Sequence, residues 1–192
     1  KSLNFFIIMK IISLELSQLI PENTSKNNRP LPSYMKEGIY IIEILTDEGI
    51  VGYGEPSPYC ASFSDLQKEF EKQSFKKFLN LDPIDSSLNR DTEFLIQKNS
   101  SNEYGKLALQ AINASISQAL VDIKGKVQNK SALNLLSSSI KNNSIEAYAS
   151  AGMWFEDQFN ADVLLEEINM FKDMGFKAYK FRPPTPKFSG NH

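Results

Sequence analysis

The sequence predicts two domains of different classes, an antiparallel α+β domain followed by the beginning of a parallel α/β domain. Between residues 10 and 54, three short stretches are typical of strands, the first with alternating apolar and polar side chains, and a turn joins the last two, as in an antiparallel meander. Residues 103–124 repeat apolar side chains every three or four positions, which indicates a long helix. Residues 145–182 suggest a strand, a helix and a parallel strand. We therefore predict domains at residues 9–140 and 141–192.

The first domain is predicted to open with a three-stranded meander. Its strands are expected at residues 10–19, 38–46 and 50–54, with a turn at Asp47-Glu48-Gly49 between the last two. The side chains expected to share a face are Ile12, Leu14 and Leu16 in the first strand, and Tyr40, Ile42 and Ile44 in the second. The polar residues 21–37 are predicted to form a long irregular connection.

Gly52 and Gly54 only superficially resemble a phosphate-binding loop. They follow a strand, but the third glycine is missing and two prolines stand where a helix should begin. We interpret these glycines as letting the backbone turn tightly against a neighbour.

The remainder of the first domain is predicted to be helical. The four expected helices span residues 64–79, 85–97, 103–124 and 131–136. Ser64 and Gln67 can form a capping box for the first, and Gly125 is placed to end the third. The apolar stripe of the third consists of Leu109, Ile112, Ile116, Ala119, Leu120 and Ile123, and we interpret it as core.

The second domain is predicted to carry two cations on one strand. Strands are expected at residues 145–150 and 178–182, with a helix at 161–174 between them. Lys180 and Arg182 are two residues apart and should share a face.

Tyr179 and Phe181 should take the opposite face of that strand. Pro183 and Pro184 should end it, which would leave the cations at its C-terminal edge. In a parallel α/β barrel, that edge is the catalytic face.

Composition excludes several classes of function. A net charge of −2 offers no basic excess for binding nucleic acid, and the apolar run at residues 5–12 is too short to span a membrane. The lone cysteine, Cys60, excludes an internal disulfide and favours a reducing compartment, so we predict a cytoplasmic location. Because the lone histidine is His192, the interior cannot supply a histidine base, a Ser-His-Asp triad or a histidine-rich zinc site.

Both ends of the sequence suggest a piece of a longer protein. Met9-Lys10-Ile11-Ile12 is typical of a natural start, so residues 1–8 are predicted to be a leader. Residues 187–192 stop within an expected loop.

Several short motifs follow one another along the chain. They are Gly52-x-Gly54-Glu55-x-x-Pro58, Ala111-Ile112-Asn113-Ala114, Asp122-Ile123-Lys124-Gly125-Lys126, Leu133 to Leu136, Ala147-Tyr148-Ala149-Ser150, and Gly175-Phe176-Lys177-Ala178-Tyr179-Lys180-x-Arg182. This ordered set resembles the enolase superfamily, in its mandelate racemase and muconate-lactonizing branches. The resemblance covers residues 9–184.

The resemblance implies an α+β capping domain, with its meander and helices, followed by the first βαβ unit of a truncated, modified TIM (β/α)8 barrel. It also implies Mg²⁺, which stabilises the enediolate formed when a proton α to a carboxylate is removed. The metal carboxylates of the family lie on later barrel strands, so the Mg²⁺ ligands are expected beyond residue 192 and none within this chain. The implied partners are a small carboxylate substrate and, for the full-length protein, other copies of itself.

Lys180 matches the first lysine of the family's K-x-K pair, and Arg182 stands where the proton-transferring second lysine is usual. Arginine stays protonated, so Arg182 is a poor base and is better suited to holding a carboxylate or an oxyanion. A two-base racemase is therefore disfavoured. The resemblance instead favours an acid-sugar dehydratase, in which a histidine later in the barrel removes the proton or assists departure of the leaving group.

The loops at residues 21–37 and 55–63 correspond to the family's mobile specificity loops. Their candidates for contacting substrate or excluding water are Tyr34, Lys36, Tyr59 and Cys60. The alternative is that these four are ordinary surface and packing residues.

Three alternatives stay open. A cycloisomerase or an epimerase of the muconate-lactonizing branch would use a lysine on a later strand. A non-catalytic module or remnant would instead cover its exposed sheet edge with a partner. We expect residues 1–192 alone to show neither specific Mg²⁺ binding nor turnover of an acid sugar.

Overall fold

The computed structural model describes residues 9–20, 38–57, 61–72, 78–85, 103–137, 144–155 and 160–185. By its internal contacts the chain divides into two compact units, Lys1–Ser138 and Ser139–His192. We refer to them as the first unit and the second unit.

The first unit contains a three-stranded sheet in the order β1 (Ile11–Leu19), β2 (Ile39–Thr46) and β3 (Val51–Gly54). Both pairs of neighbours are antiparallel, which confirms the predicted meander. Side chains alternate along β2 as expected, so that Tyr40, Ile42 and Ile44 are buried.

The first strand departs from the predicted alternation. Its register with β2 shifts between Ile11 and Ser13. Ile11 is fully buried, whereas Ile12 is 49% exposed. Leu14 and Leu16 pack against the core, so the prediction that Ile12 shares their face is wrong. The extra residue at a bulge reverses the alternation on its N-terminal side.

Three helices of the first unit are described, α1 (Phe63–Lys72), α2 (Glu103–Gln128) and α3 (Ala132–Leu136). The long helix α2 packs against β2, β3 and α1. Its predicted stripe is buried, and the core joins it to the inner face of the sheet. The core residues are Met9, Ile11, Tyr40, Ile42, Ile44, Leu66, Phe78, Ala108, Ala111, Ile112, Ile116, Ala119, Leu120 and Ile123.

Two predicted helix ends are wrong. The capping serine of α1 is Ser62, not Ser64, because the Ser62 hydroxyl accepts the Asp65 N–H at 3.2 Å and donates to its carboxylate at 2.8 Å. Helix α2 continues through Gly125 and ends before Asn129, whose φ is +50°. Gly125 instead makes room for the returning chain, since an added Cβ would lie 2.8 Å from the Lys130 carbonyl oxygen.

Two other predicted helices have different outcomes. Ser131 caps α3 as predicted, accepting the Asn134 N–H at 3.3 Å. The helix predicted at residues 85–97 lies outside the described residues, apart from Asp85.

The described part of the second unit forms a βαβ unit, β4 (Ala149–Phe155), α4 (Ala161–Asp173) and β5 (Tyr179–Thr185). The two strands pair in parallel, as predicted. Asn160 caps α4, accepting the N–H groups of Asp162 and Val163 through its side-chain oxygen.

Both predicted strand ranges in this unit need correction. Residues 145–148 precede β4, because pairing begins only where Ala149 donates to the Ala178 carbonyl at 2.9 Å. Strand β5 passes through Pro183 and Pro184 to Thr185. The prolines fall between the paired residues Arg182 and Thr185, where the register shifts, so they need not donate to β4.

No helix in the described part of the chain combines the length and the apolar content needed to cross a membrane.

Candidate functional site

The parallel pairing of β4 and β5 places Lys180 beside Ser150, and Arg182 beside Met153. Lys180 is the second residue of β5, so the prediction that it lies at the C-terminal edge of the strand is wrong. The reason is that β5 continues three residues beyond Arg182, through the prolines.

The two faces of β5 have different surroundings. The rings of Tyr179 and Phe181 lie 6.5 Å apart and therefore share a face. On that face, the Tyr179 ring lies 5.8 Å from Phe171 of α4, and the Tyr179 hydroxyl donates to the Glu167 carboxylate at 2.6 Å. Lys180 stands between the two aromatic residues and projects to the opposite face. Lys180 therefore lies on the face that α4 does not cover.

Lys180 has an aromatic neighbour at the entrance to β4. Its ammonium nitrogen lies 5.9 Å from the centre of the Tyr148 ring, at the limit of a cation–π contact. Tyr148 is 54% exposed and Ala149, the next residue, is buried. Ser150 is paired with Lys180 and shares its side of the sheet, and the contact of the Tyr148 ring with the Lys180 ammonium places that ring on the same side.

Sequence reasoning did not select Tyr148 or Ser150 as site residues. The signal that could have found them is the parallel register, since Ser150 lies directly beside Lys180 and Tyr148 is two residues earlier on the same face. That register depends on where the two strands begin to pair, and the sequence-based range for the first strand was displaced by several residues.

The other predicted site residues lie partly or wholly outside the described structure. Arg182 contributes its backbone to β5, and its side chain is outside the described part. Tyr34, Lys36, Tyr59 and Cys60 also lie outside the described residues. Their proposed contacts with substrate stay predictions.

A second lysine of the same unit serves as a contrast. The Lys177 ammonium group pairs with the Glu146 carboxylate, and both side chains are 78% exposed. Together with Met174 and Phe176, this pair lines a cavity of about 220 Å³ at the beginning of the two strands. Lys180 does not line that cavity, so Lys177 is a natural control for experiments on Lys180.

The described residues offer no metal site of the usual kind. Among them, no three histidine, cysteine, aspartate or glutamate side chains lie close enough together to hold an ion. A larger cavity of about 900 Å³ lies along α2 and α3, lined among others by Val121, Lys130 and Leu136. It contains none of the predicted site residues.

The chain matches a family model over residues 23–137, more than half of its length. That model describes the N-terminal domain of the mandelate racemase and muconate lactonizing enzyme family.

Solved structures resemble both units. A member of the enolase superfamily from Polaromonas sp. JS666 is 27% identical, with a TM-score of 0.66 over 91% of this chain and 44% of that one. A candidate mandelate racemase from Bordetella bronchiseptica RB50 is 23% identical, with a TM-score of 0.68 over 91% of this chain and 44% of that one.

The 3,6-anhydro-D-galactonate cycloisomerase from Zobellia galactanivorans is 24% identical, with a TM-score of 0.65 over 90% of this chain and 42% of that one. At these identities, the Bordetella and Zobellia structures establish a shared fold. The chain spans less than half the length of each of the three proteins.

Proposed function

The chain belongs to the mandelate racemase and muconate lactonizing enzyme family, and on that premise we propose that it forms the N-terminal part of an enzyme that removes a proton α to a carboxylate. The first unit corresponds to the capping domain of that family, and the second unit to the first βαβ unit of a modified (β/α)8 barrel. The observation that carries the proposal is the family match over residues 23–137.

The geometry of the second unit supports this proposal. Strands β4 and β5 are parallel, as barrel strands must be. Helix α4 packs on one face of β5, and Lys180 projects from the other. In a (β/α)8 barrel, helices cover the outside and the opposite face lines the interior. Lys180 would therefore project towards the interior of the barrel and away from its helices.

The proposed role of Lys180 and Arg182 is electrostatic. Removing a proton from the α-carbon of a carboxylate is difficult because negative charge builds up on the carboxylate oxygens. Fixed cations stabilise that charge more in the transition state than in the substrate. Lys180 supplies a compact ammonium group, and Arg182 supplies a planar guanidinium that can hold a carboxylate through two hydrogen bonds.

The proposed reaction is dehydration of an acid sugar. Loss of the α-proton and of the hydroxyl group on the neighbouring carbon yields an enol, which becomes a 2-keto-3-deoxy acid. Arg182 occupies the position of the usual proton-transferring lysine and cannot serve as a base at neutral pH. The base is therefore proposed to come from a histidine in a later part of the full-length protein.

The family resemblance implies Mg²⁺, but the described residues do not fit that ion, since they bring no three suitable ligands together. We assign no Mg²⁺ ligand to this chain. In the proposed enzyme, the Mg²⁺ ligands would come from the region that corresponds to the part of the relatives outside this match.

The test uses the complete protein that contains this chain, assayed with Mg²⁺ against a panel of aldonic and aldaric acids for formation of 2-keto-3-deoxy acids. Lys180→Met should lower kcat/KM by about 100-fold, a typical loss when one charge-stabilising group is removed. Lys177→Met is the matched control and should leave the activity unchanged. Turnover that survives Lys180→Met would overturn the assigned role, and an absence of any 2-keto-3-deoxy product across the panel would overturn the dehydratase.

A further inference from the structure

Within the described part of the chain, strand β3 pairs with a strand on one side only. It is the last strand of its sheet, with β2 on its other side. In an antiparallel strand, successive residues direct their backbone N–H and C=O groups alternately towards one side and the other. The Thr46 N–H of β2 donates to the Ile50 carbonyl at 3.0 Å, so the backbone groups of Gly52 and Gly54 point towards β2, and those of Val51, Tyr53 and Glu55 point away from it. Such outward backbone groups, if left without partners, are a template for pairing with another strand.

Side chains of α2 bind this edge. The Asp122 carboxylate accepts the Tyr53 N–H at 3.0 Å, and the Gln118 side-chain oxygen accepts the Glu55 N–H at 3.0 Å. The Lys126 ammonium donates to the Val51 carbonyl at 2.6 Å. We call Gln118, Asp122 and Lys126 the α2 polar row, because their spacing of four places them along one side of the helix.

Two further contacts hold the row together. The Lys126 ammonium also donates to the Asp122 carboxylate at 2.7 Å. It lies 4.8 Å from the centre of the Tyr53 ring as well. One lysine therefore joins the helix, the backbone of β3 and a side chain of β3.

The glycines allow the row to reach the strand. A Cβ atom added at Gly52 would overlap the Ala119 carbonyl oxygen, and one added at Gly54 would overlap the Ser115 carbonyl oxygen. Strand β3 can lie this close to α2 only because both residues lack a side chain. This identifies α2 as the neighbour that the sequence predicted for the two glycines.

We propose that the α2 polar row is a local latch, which holds Tyr53 and Glu55 and thereby sets the direction in which the chain leaves the sheet. The bonds lie at the exposed rim of α2, whereas the apolar stripe of the same helix forms the core. These bonds can therefore break while the core stays intact. In the proposed enzyme, Glu55 begins the loop predicted to contact substrate, so these residues would be positioning residues; that consequence rests on the proposed function.

The test is amide hydrogen exchange, resolved to single residues by NMR, on the 192-residue chain. Gln118→Ala should accelerate exchange at the Glu55 amide by about tenfold, the upper range for one lost hydrogen bond. Asp122→Ala should likewise accelerate exchange at the Tyr53 amide. Amides in the buried part of α2, such as that of Ile116, should keep their rates.

The conservative variant Gln118→Glu keeps an acceptor oxygen and should keep the protection of the Glu55 amide. Gln110→Ala makes the same change at an exposed position two turns before the row, so it is the matched control and should change neither amide. Should Asp122→Ala fail to fold, the three variants at Gln118 and Gln110 still decide the outcome at Glu55.

Two results would overturn the proposal that the α2 polar row is a local latch. Unchanged exchange at Glu55 in Gln118→Ala would show that the bond does not protect this amide. Equal acceleration at Glu55, Tyr53 and Ile116 would show that the row acts only through global stability. Because exchange needs neither substrate nor metal, these results stand apart from the success or failure of the proposed enzymatic function.

Discussion

The two units of the chain differ in how much they bury. In the first unit, the stripe of α2 and the inner face of β2 join in one core, and Ile42, Ile112 and Ile116 are completely buried. In the described part of the second unit, Ala149 is the buried hydrophobic residue, and α4 has no buried residue.

This difference follows from the number of strands and helices that pack together in each unit. A three-stranded sheet with a long helix across it can enclose a core, whereas two strands with one helix leave apolar side chains accessible. Leu165 and Phe181 are examples in the second unit. The first unit thus carries the interactions for its own stability, and we propose that the second depends on further barrel strands.

The largest expected contrast comes from one substitution made in both units. Ile116→Ala should lower the free energy of unfolding of the first unit by about 2–5 kcal/mol, because it leaves a cavity in a closed core. Ile168→Ala, at a half-buried position of α4, should cost less than about 1 kcal/mol. Urea unfolding followed by circular dichroism reports the loss in the first unit. Urea unfolding followed by the fluorescence of Trp154, the single tryptophan, reports the loss in the second unit. Equal losses would contradict the contrast.

The stability of the first unit should be nearly as sensitive to a side chain added where β3 lies close to α2. Gly54→Ala should destabilise the first unit by about 1–3 kcal/mol, because the new methyl group displaces helix or strand. The control is Gly49→Asn, since Gly49 has open space around it and a φ of +75°, which asparagine tolerates. Thermal unfolding of both variants measures the difference. A Gly54→Ala protein as stable as the parent would show that the two elements can separate without cost.

A smaller effect is expected at the helix cap of the second unit. Asn160→Ala removes the acceptor for two N–H groups of α4 and should cost about 1 kcal/mol. The loss should appear as faster amide exchange in the first turn of α4, with the first unit unchanged. Asn160→Asp keeps an acceptor and should retain the protection. Faster exchange in α2 would indicate that the two units unfold together.

The smallest effect is expected at the exposed ion pair of the second unit. Lys177→Met breaks its contact with Glu146, and both side chains are well hydrated. Exposed pairs of this kind contribute little, because solvent screens them. The urea midpoint of the variant, followed by Trp154 fluorescence, should equal that of the parent protein at both low and high salt. A clear loss that disappears in high salt would show that this pair helps to hold the second unit together.

The face of β5 from which Lys180 projects followed from local spacing, but the neighbours of Lys180 did not. The spacing of Lys180 and Arg182 identified the strand, and the alternation with Tyr179 and Phe181 predicted which face the lysine takes. Tyr148 and Ser150 join Lys180 only through the register of β4 and β5. Register between strands that are thirty residues apart in sequence depends on packing of the intervening helix, which no local pattern contains.

The sequence by itself determined which faces are buried in β2 and α2, because the periods of a strand and of a helix are properties of the backbone. Tertiary structure decided the bulge at Ile12, the place of Gly125 inside a helix and the passage of β5 through two prolines. Each of these depends on what lies opposite: the partner strand for the bulge, the returning chain for Gly125 and the shifted register of β4 for the prolines. Such neighbours come from distant parts of the sequence, so their effects appear only when the chain is folded.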